Sequence, residues 1–290
     1  MKTAPGGDRR PARPEAGPGR DAPWLLLTAS VDPLGCKGAM FTPERRLAQY
    51  LGAFRFFLRF FRRRPGLVRG IVLAENSGFS PEPFRRLAAA TLPPGLLDRV
   101  EFLFFPPDGF LPEKGKSYNE MRMVDMALER SSLVRPGDLV LKLTGRYPLW
   151  SLSGDLADLA AAAEKAGTPL AVGYWPWPRL RTRFNRGQMP LVDTRRIAFR
   201  ASAWTESFGG AWRTADNDKG RYFESIAREI VAANAGRPGW TRAFRRPPLV
   251  LAPPGHLKYV FGRTFPPALG RLHSAVSYLY LRAISPFAGD

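Results

Sequence analysis

Trp24-Leu25-Leu26-Leu27-Thr28 is an apolar run that closes on a hydroxyl and passes straight into the polar Ala29-Ser30-Val31-Asp32. Such a run reads as a buried strand. Downstream the period changes. Leu47, Tyr50, Leu51, Phe54, Phe57, Leu58 and Phe61 recur at helical spacing, while Arg45, Arg55, Arg59 and Arg62 fall mostly off that stripe. The pattern predicts a helix with one face on the core and a basic outer face. The alternation continues, with strands expected at Ile71–Ala74, Val100–Phe105, Leu139–Leu143 and Leu170–Trp175. Helices are expected at Pro83–Ala90 and Gly154–Ala166, and Pro- or Gly-marked turns join the segments. Ser117 and Glu120 have capping-box spacing ahead of a helix carrying Met121, Val124 and Leu128 on one face. The succession predicts an α/β fold, a mainly parallel, doubly wound sheet flanked by helices.

After Trp175 the pattern is less regular. A basic stretch over Arg179–Arg186 precedes an expected strand at Arg196–Arg200 and a helix at Arg221–Val231. Beyond Pro247 the chain is Pro-rich and irregular, and it ends in a basic amphipathic segment, Ala268–Ile284. These shifts divide the chain into a disordered basic tail (1–22), one folded unit (23–252) and a basic C-terminal segment (253–290). The tail lacks the apolar region of a signal peptide. No apolar run approaches the roughly 20 residues needed to span a bilayer.

With 44 Lys+Arg against 25 Asp+Glu, the formal charge is +19. Such a balance favours partners carrying phosphate or carboxylate, or an anionic lipid surface. The single cysteine, Cys36, excludes an intramolecular disulfide and fits a reducing compartment, so a cytoplasmic location is expected. His256 and His273 lie far from it and lack ligand-pair spacing, which leaves zinc chemistry without support.

In an open parallel sheet, ligands bind beyond the C-terminal ends of the strands. The residues there are polar in four successive cases: Thr28, Ser30 and Asp32; Glu75-Asn76-Ser77-Gly78; the loop to Lys114-Gly115-Lys116; and Thr144-Gly145-Arg146-Tyr147. Each segment alone would serve as a turn or helix cap. Gly115-Lys116-Ser117 has the ending of a phosphate loop, but Gly109 and Gly115 enclose five residues where that motif needs four. Lys114 and Lys116 remain as cations at a helix N-terminus, able to receive an anion or simply to be solvated. Lys142 interrupts an apolar strand, and a buried lysine needs an anion. With Arg146 it suits phosphate recognition, or equally a structural ion pair to a carboxylate such as Glu75. Asp216 and Asp218, with Glu224 nearby, offer carboxylates for a divalent cation or else form a solvated loop before a helix.

Four of these segments resemble bacterial glycosyltransferase-like proteins of surface-polysaccharide loci, which have a GT-A-type nucleotide-sugar fold. They are Leu-Thr-Ala-Ser-Val-Asp-Pro at 27–33, Glu-Asn-Ser-Gly at 75–78, Lys-Gly-Lys-Ser-Tyr-Asn-Glu at 114–120 and Lys-Leu-Thr-Gly-Arg-Tyr at 142–147. The resemblance implies transfer of a sugar from a nucleotide-sugar donor to a glycan or lipid-linked acceptor. On it, Thr28, Ser30, Asp32, Glu75 and Asn76 would frame the base and ribose, with Lys142, Thr144 and Gly145 also on the donor side. Lys116 and Arg146 would neutralise the leaving diphosphate. The family's Asp-x-Asp metal motif is replaced here by Thr144-Gly145-Arg146, so those two cations would do the metal's work. Any Mg2+ or Mn2+ would fall to Asp216 and Asp218. The base for the acceptor hydroxyl would be Asp218 or Glu224, with His256 in reserve. A lipid-linked acceptor would place the enzyme peripherally on the inner membrane.

Two other classes compete. The Arg179–Arg200 stretch, with Trp175, Trp177, Phe184 and Phe199, would suit a nucleic-acid-binding protein, though no recognised motif accompanies it. Another nucleotide-dependent α/β transferase is the second, but Gly-x-Gly-x-x-Gly is absent.

Overall fold

The computed structural model describes residues 21–166 apart from 33 and 37–40, residues 170–174, and residues 192–241 apart from 235 and 239. Residues 1–20 of the basic tail, most of the 179–200 stretch, His256, His273 and the C-terminal amphipathic segment lie outside these residues. Within them the chain forms β1 (Trp24–Ala29), α1 (Pro43–Arg63), β2 (Gly70–Glu75), α2 (Glu82–Thr91), α3 (Pro94–Leu97), β3 (Val100–Phe104) and α4 (Gly115–Arg130). There follow β4 (Leu139–Thr144), α5 (Leu152–Ala166), β5 (Leu170–Tyr174), β6 (Val192–Arg200), α6 (Ala201–Ser207), α7 (Phe223–Ala233) and the two-residue β7 (Trp240–Thr241).

The strands make one sheet in the order β3-β2-β1-β4-β6-β5-β7. The pairs β2–β3, β1–β2, β1–β4 and β5–β7 are parallel, while β6 lies antiparallel to both β4 and β5. The expected mainly parallel α/β sheet is therefore present, with one reversed strand. Successive side chains of a strand point to opposite faces, and β1 serves two cores accordingly. Leu25 and Leu27 pack with α1, α2 and α5, whereas Trp24 and Leu26 pack with residues of α4, α6 and α7.

Helix α1 follows the stripe read from the sequence. Thr42 caps it through the Arg45 amide, Pro43 opens it, and Tyr50, Phe54, Phe57, Leu58 and Phe61 are buried. Arg46, which the sequence reading left unassigned, is buried and bonds the Ser30 and Val31 carbonyls. No helix among the described residues is long and apolar enough to cross a membrane.

Two local expectations are corrected. Helix α4 begins at Gly115, with no side-chain cap at Lys114, so Ser117 and Glu120 lie within the helix and form no capping box. Strand β6 starts at Val192 rather than Arg196. Its early residues are polar but find buried partners in the fold, among them Thr194 and Arg196. Arg196 pairs with Asp155, both side chains being almost wholly buried.

Candidate functional site

The parallel register brings three strand ends to one level: Thr28 of β1 stands beside Thr144 of β4, and Ala29 beside Glu75 of β2. The Gly145 amide continues the β1–β4 pairing by donating to the Thr28 carbonyl at 2.8 Å. A Cβ on Gly145 would sit 2.9 Å from that carbonyl oxygen, so the close approach of the two strand ends needs a glycine here.

Above these ends lies a cavity of about 290 Å³. Its walls include Thr28, Ser30, Lys116, Thr144, Arg146 and Glu224 from the sequence reading. They also include Arg46, Tyr50, Glu120 and Asn217, none of which that reading placed in a site. Asp32, Glu75, Asn76, Lys142 and Gly145 stand outside the walls and hold them in place. Glu75 is fully buried and accepts bonds from the amides of Val31, Ser77 and Phe79 and from the Ser77 hydroxyl. Burial raises its carboxyl above the ordinary range, against the pull of those donors. Ser77 Oγ in turn accepts from the Asp32 amide, and Asn76 Oδ1 accepts from the Ser30 hydroxyl at 2.6 Å. Glu75 is thus the anchor of the loops after β1 and β2.

Lys142 is fully buried on β4, and its partner is Glu120 of α4, not Glu75. Its ammonium also donates to the Thr194 carbonyl at 2.8 Å. The same Glu120 oxygen accepts from the hydroxyls of Thr28 (3.1 Å) and Thr144 (3.2 Å). One carboxylate oxygen therefore ties α4 to the ends of β1 and β4, on the floor of the cavity.

Arg146, Lys116 and Arg46 supply positive charge to the walls. The buried Nε of Arg146 has no acceptor among the described residues, although its Nη2 donates to the Tyr147 hydroxyl. Burial, and then the charges of Arg146 and Arg46, lower the Lys116 pKa below that of an ordinary lysine. Opposite charge comes from Glu120 and from Glu224 near the start of α7, which accepts from the Thr194 hydroxyl at 3.0 Å. Asn217 also faces the cavity, with a buried Oδ1 that no donor among the described residues meets. Its side chain lies over Gly115, whose φ of +81° and lack of a Cβ allow the contact.

No protein-family model matches the chain, and no curated protein matches it. Solved structures do. A galactosyltransferase, LgtC, in complex with donor and acceptor sugar analogues, is similar at 12% identity over 71% of this chain and 70% of that one, with a TM-score of 0.45. The apo mouse xyloside xylosyltransferase 1 is similar at 12% identity over 76% and 84% of the two chains, with a TM-score of 0.37. A 4-diphosphocytidyl-2C-methyl-D-erythritol synthase follows at 15% identity over 69% and 85%, with a TM-score of 0.32. These names belong to those proteins, and at such scores they assign neither activity nor ligand to this chain.

Asp216 and Asp218, to which the sequence reading gave any Mg2+ or Mn2+, are not arranged as a pair of cation ligands at the cavity. Asp216 Oδ1 accepts from the amides of Asp218 and Lys219, and its other oxygen faces the Lys219 ammonium at 3.4 Å. Neither Asp216 nor Asp218 lines the cavity; Asn217 between them does. Among the described residues no group of three or more His, Cys, Asp or Glu converges as a metal site. The part of the 179–200 basic stretch that is described points partly inward: Arg196 is paired with Asp155 and Arg200 donates to the Gly137 carbonyl.

Proposed function

We propose that the protein is a glycosyltransferase that binds a nucleotide-sugar donor in the strand-end cavity and transfers the sugar to a glycan or lipid-linked hydroxyl. The observation that carries this reading is the gathering of Arg146, whose buried Nε meets no acceptor among the described residues, with Lys116 and Arg46 in one cavity that also holds two carboxylates. Preorganised cations of this kind stabilise the charge that develops on a departing diphosphate. In this reading Thr28 and Ser30, whose hydroxyls donate to Glu120 and Asn76, line the donor side and offer their oxygens as acceptors to it.

Glu224 is the base of choice, since of the two carboxylates read from the sequence only it lines the cavity. In the step proposed, Glu224 takes the proton of the acceptor hydroxyl as the oxygen bonds to the anomeric carbon. The bond from that carbon to the diphosphate breaks, and its electron pair leaves on the diphosphate oxygen, held by the cations. Glu120 acts by position: tied to Lys142, Thr28 and Thr144, it fixes the floor beneath the donor. A cytoplasmic role in surface-polysaccharide synthesis, at the membrane face, is part of the same proposal and rests on the sequence resemblance.

A thermal-shift screen of nucleoside diphosphates, nucleotide sugars and single-stranded oligonucleotides tests the reading, because a ligand selective for the folded state raises its melting temperature. Stabilisation by one nucleoside diphosphate and its sugar conjugate, lost in Arg146→Ala, supports it. Stabilisation by oligonucleotides alone would reassign the protein to nucleic-acid binding.

A further inference from the structure

The outer face of α1 plays no part in the cavity just described, yet it borders a second groove, of about 940 Å³, shared with α2 and the Trp150–Ser153 segment. Its floor is apolar: Leu51, Phe56, Phe60 and Leu87 are half-buried there against the core. Its rim is cationic. Arg55, Arg59 and Arg63 recur every fourth residue and so share one stripe of α1, with Arg64 at the helix end and Arg86 across the groove on α2. Among the described lining residues there is no Asp or Glu, and Glu82, one turn before Arg86 on α2, is the carboxylate that pairs with that arginine at the edge of the groove. Trp150, 57% exposed, completes the lining.

We propose that this groove docks the protein on an anionic phospholipid bilayer, with an acyl chain against Phe56 and Phe60 and headgroup phosphates at the arginines. The charge complementarity selects an anionic occupant, and the groove asks for apolar contact in the same place. An amphiphile offers both at the spacing of a headgroup and its chain. A nucleic acid would meet the arginines but leave the aliphatic floor of Leu51 and Leu87 uncovered. Indole side chains favour the boundary between lipid and water, where docking would put Trp150. The proposal does not depend on the catalytic reading and would hold for a protein of any activity.

Because a chain with a net charge of +19 adheres weakly to any anionic surface, the test must localise the contact. Flotation of the full chain with vesicles of phosphatidylcholine, with and without phosphatidylglycerol, is compared for two double variants of equal charge change. Arg59→Glu with Arg63→Glu alters the groove; Arg130→Glu with Arg213→Glu alters exposed arginines of α4 and the 211–214 turn. The expected result is flotation with the phosphatidylglycerol vesicles only, reduced about tenfold by the groove pair and little changed by the distant pair. Brominated lipid should quench tryptophan emission of the bound protein, less so in Trp150→Phe, a variant that leaves the charge and the fold alone. Equal loss in both double variants, unchanged flotation of the groove pair, or quenching indifferent to Trp150 would overturn the proposal. So would capture of acidic polyglutamate in place of vesicles, since the groove would then serve a protein partner.

Discussion

Lys142 and Glu120 meet across the contact between β4 and α4, the ammonium fully buried and 5.4 Å from the centroid of the Phe223 ring. Burying such a cation without an anion is costly, and removing one member of a buried pair leaves the other uncompensated. Lys142→Ala is expected to lower stability by about 3 kcal/mol, read from urea unfolding. Glu120→Gln, which leaves the fully buried ammonium without its anion, should cost at least as much. An unfolding curve for Lys142→Ala that matches the wild type would show that the pair does not carry this part of the fold.

Arg146 should separate binding from folding. Among the described residues its Nε meets no acceptor, and its guanidinium otherwise bonds and stacks on the neighbouring Tyr147, so Arg146→Ala costs the fold mainly that local contact and should lower the melting temperature by only a few degrees. Turnover of the donor should fall by about 10²–10³, the range seen when a preorganised donor to a developing anion is deleted. Full activity in the folded variant would place the diphosphate elsewhere.

The lowered Lys116 pKa has a sign that can be measured. A bound diphosphate favours the protonated lysine, so binding should weaken as pH rises through the depressed value of the free protein, earlier than an ordinary lysine would dictate. Calorimetric titration in two buffers of different ionisation enthalpy should show proton uptake on binding in that window. Lys116→Arg should flatten the profile. A wild-type profile already flat there would remove Lys116 from the anion site.

Glu224 and Asp218 divide the base assignment cleanly. Glu224→Gln is expected to reduce kcat by about 10²–10⁴ with donor affinity nearly unchanged, as for loss of a general base. Asp218→Asn, at a residue outside the cavity walls, should do neither. If the two effects were exchanged, the loop before α7 would have to move onto the substrate.

Glu75 accepts bonds from three amides and one hydroxyl. Glu75→Gln would turn an NH2 group toward some of those donors, leaving buried groups unpaired at a cost of about 2 kcal/mol. Thermal unfolding should register that loss. Faster amide exchange at Val31, Ser77 and Phe79 should accompany it, whereas a mutant protected as the wild type is would show that Glu75 is not the anchor.

What the sequence determined by itself was the local order of the fold. The strands β1 to β5 and helices α1, α2, α4 and α5 were legible because each has its own period of apolar residues, and period is a property of neighbouring positions. Thr28, Ser30, Lys116, Thr144 and Arg146 were legible as residues that line the strand-end cavity for a related reason: they lie at or just beyond strand ends, or at the helix start that faces them, and such positions can be read locally. The early part of β6 and the short β7 carried no such period. Thr194 and Arg196 are polar residues turned inward, and only their distant partners make that tolerable. Tertiary structure alone decided that Glu120 rather than Glu75 meets Lys142, that Arg46 joins the cavity from α1, and that Asn217 rather than Asp216 or Asp218 faces it. Those choices depend on how helices seat against the sheet, which sets which side chains meet across tens of residues of chain, and no spacing within a single segment encodes that meeting.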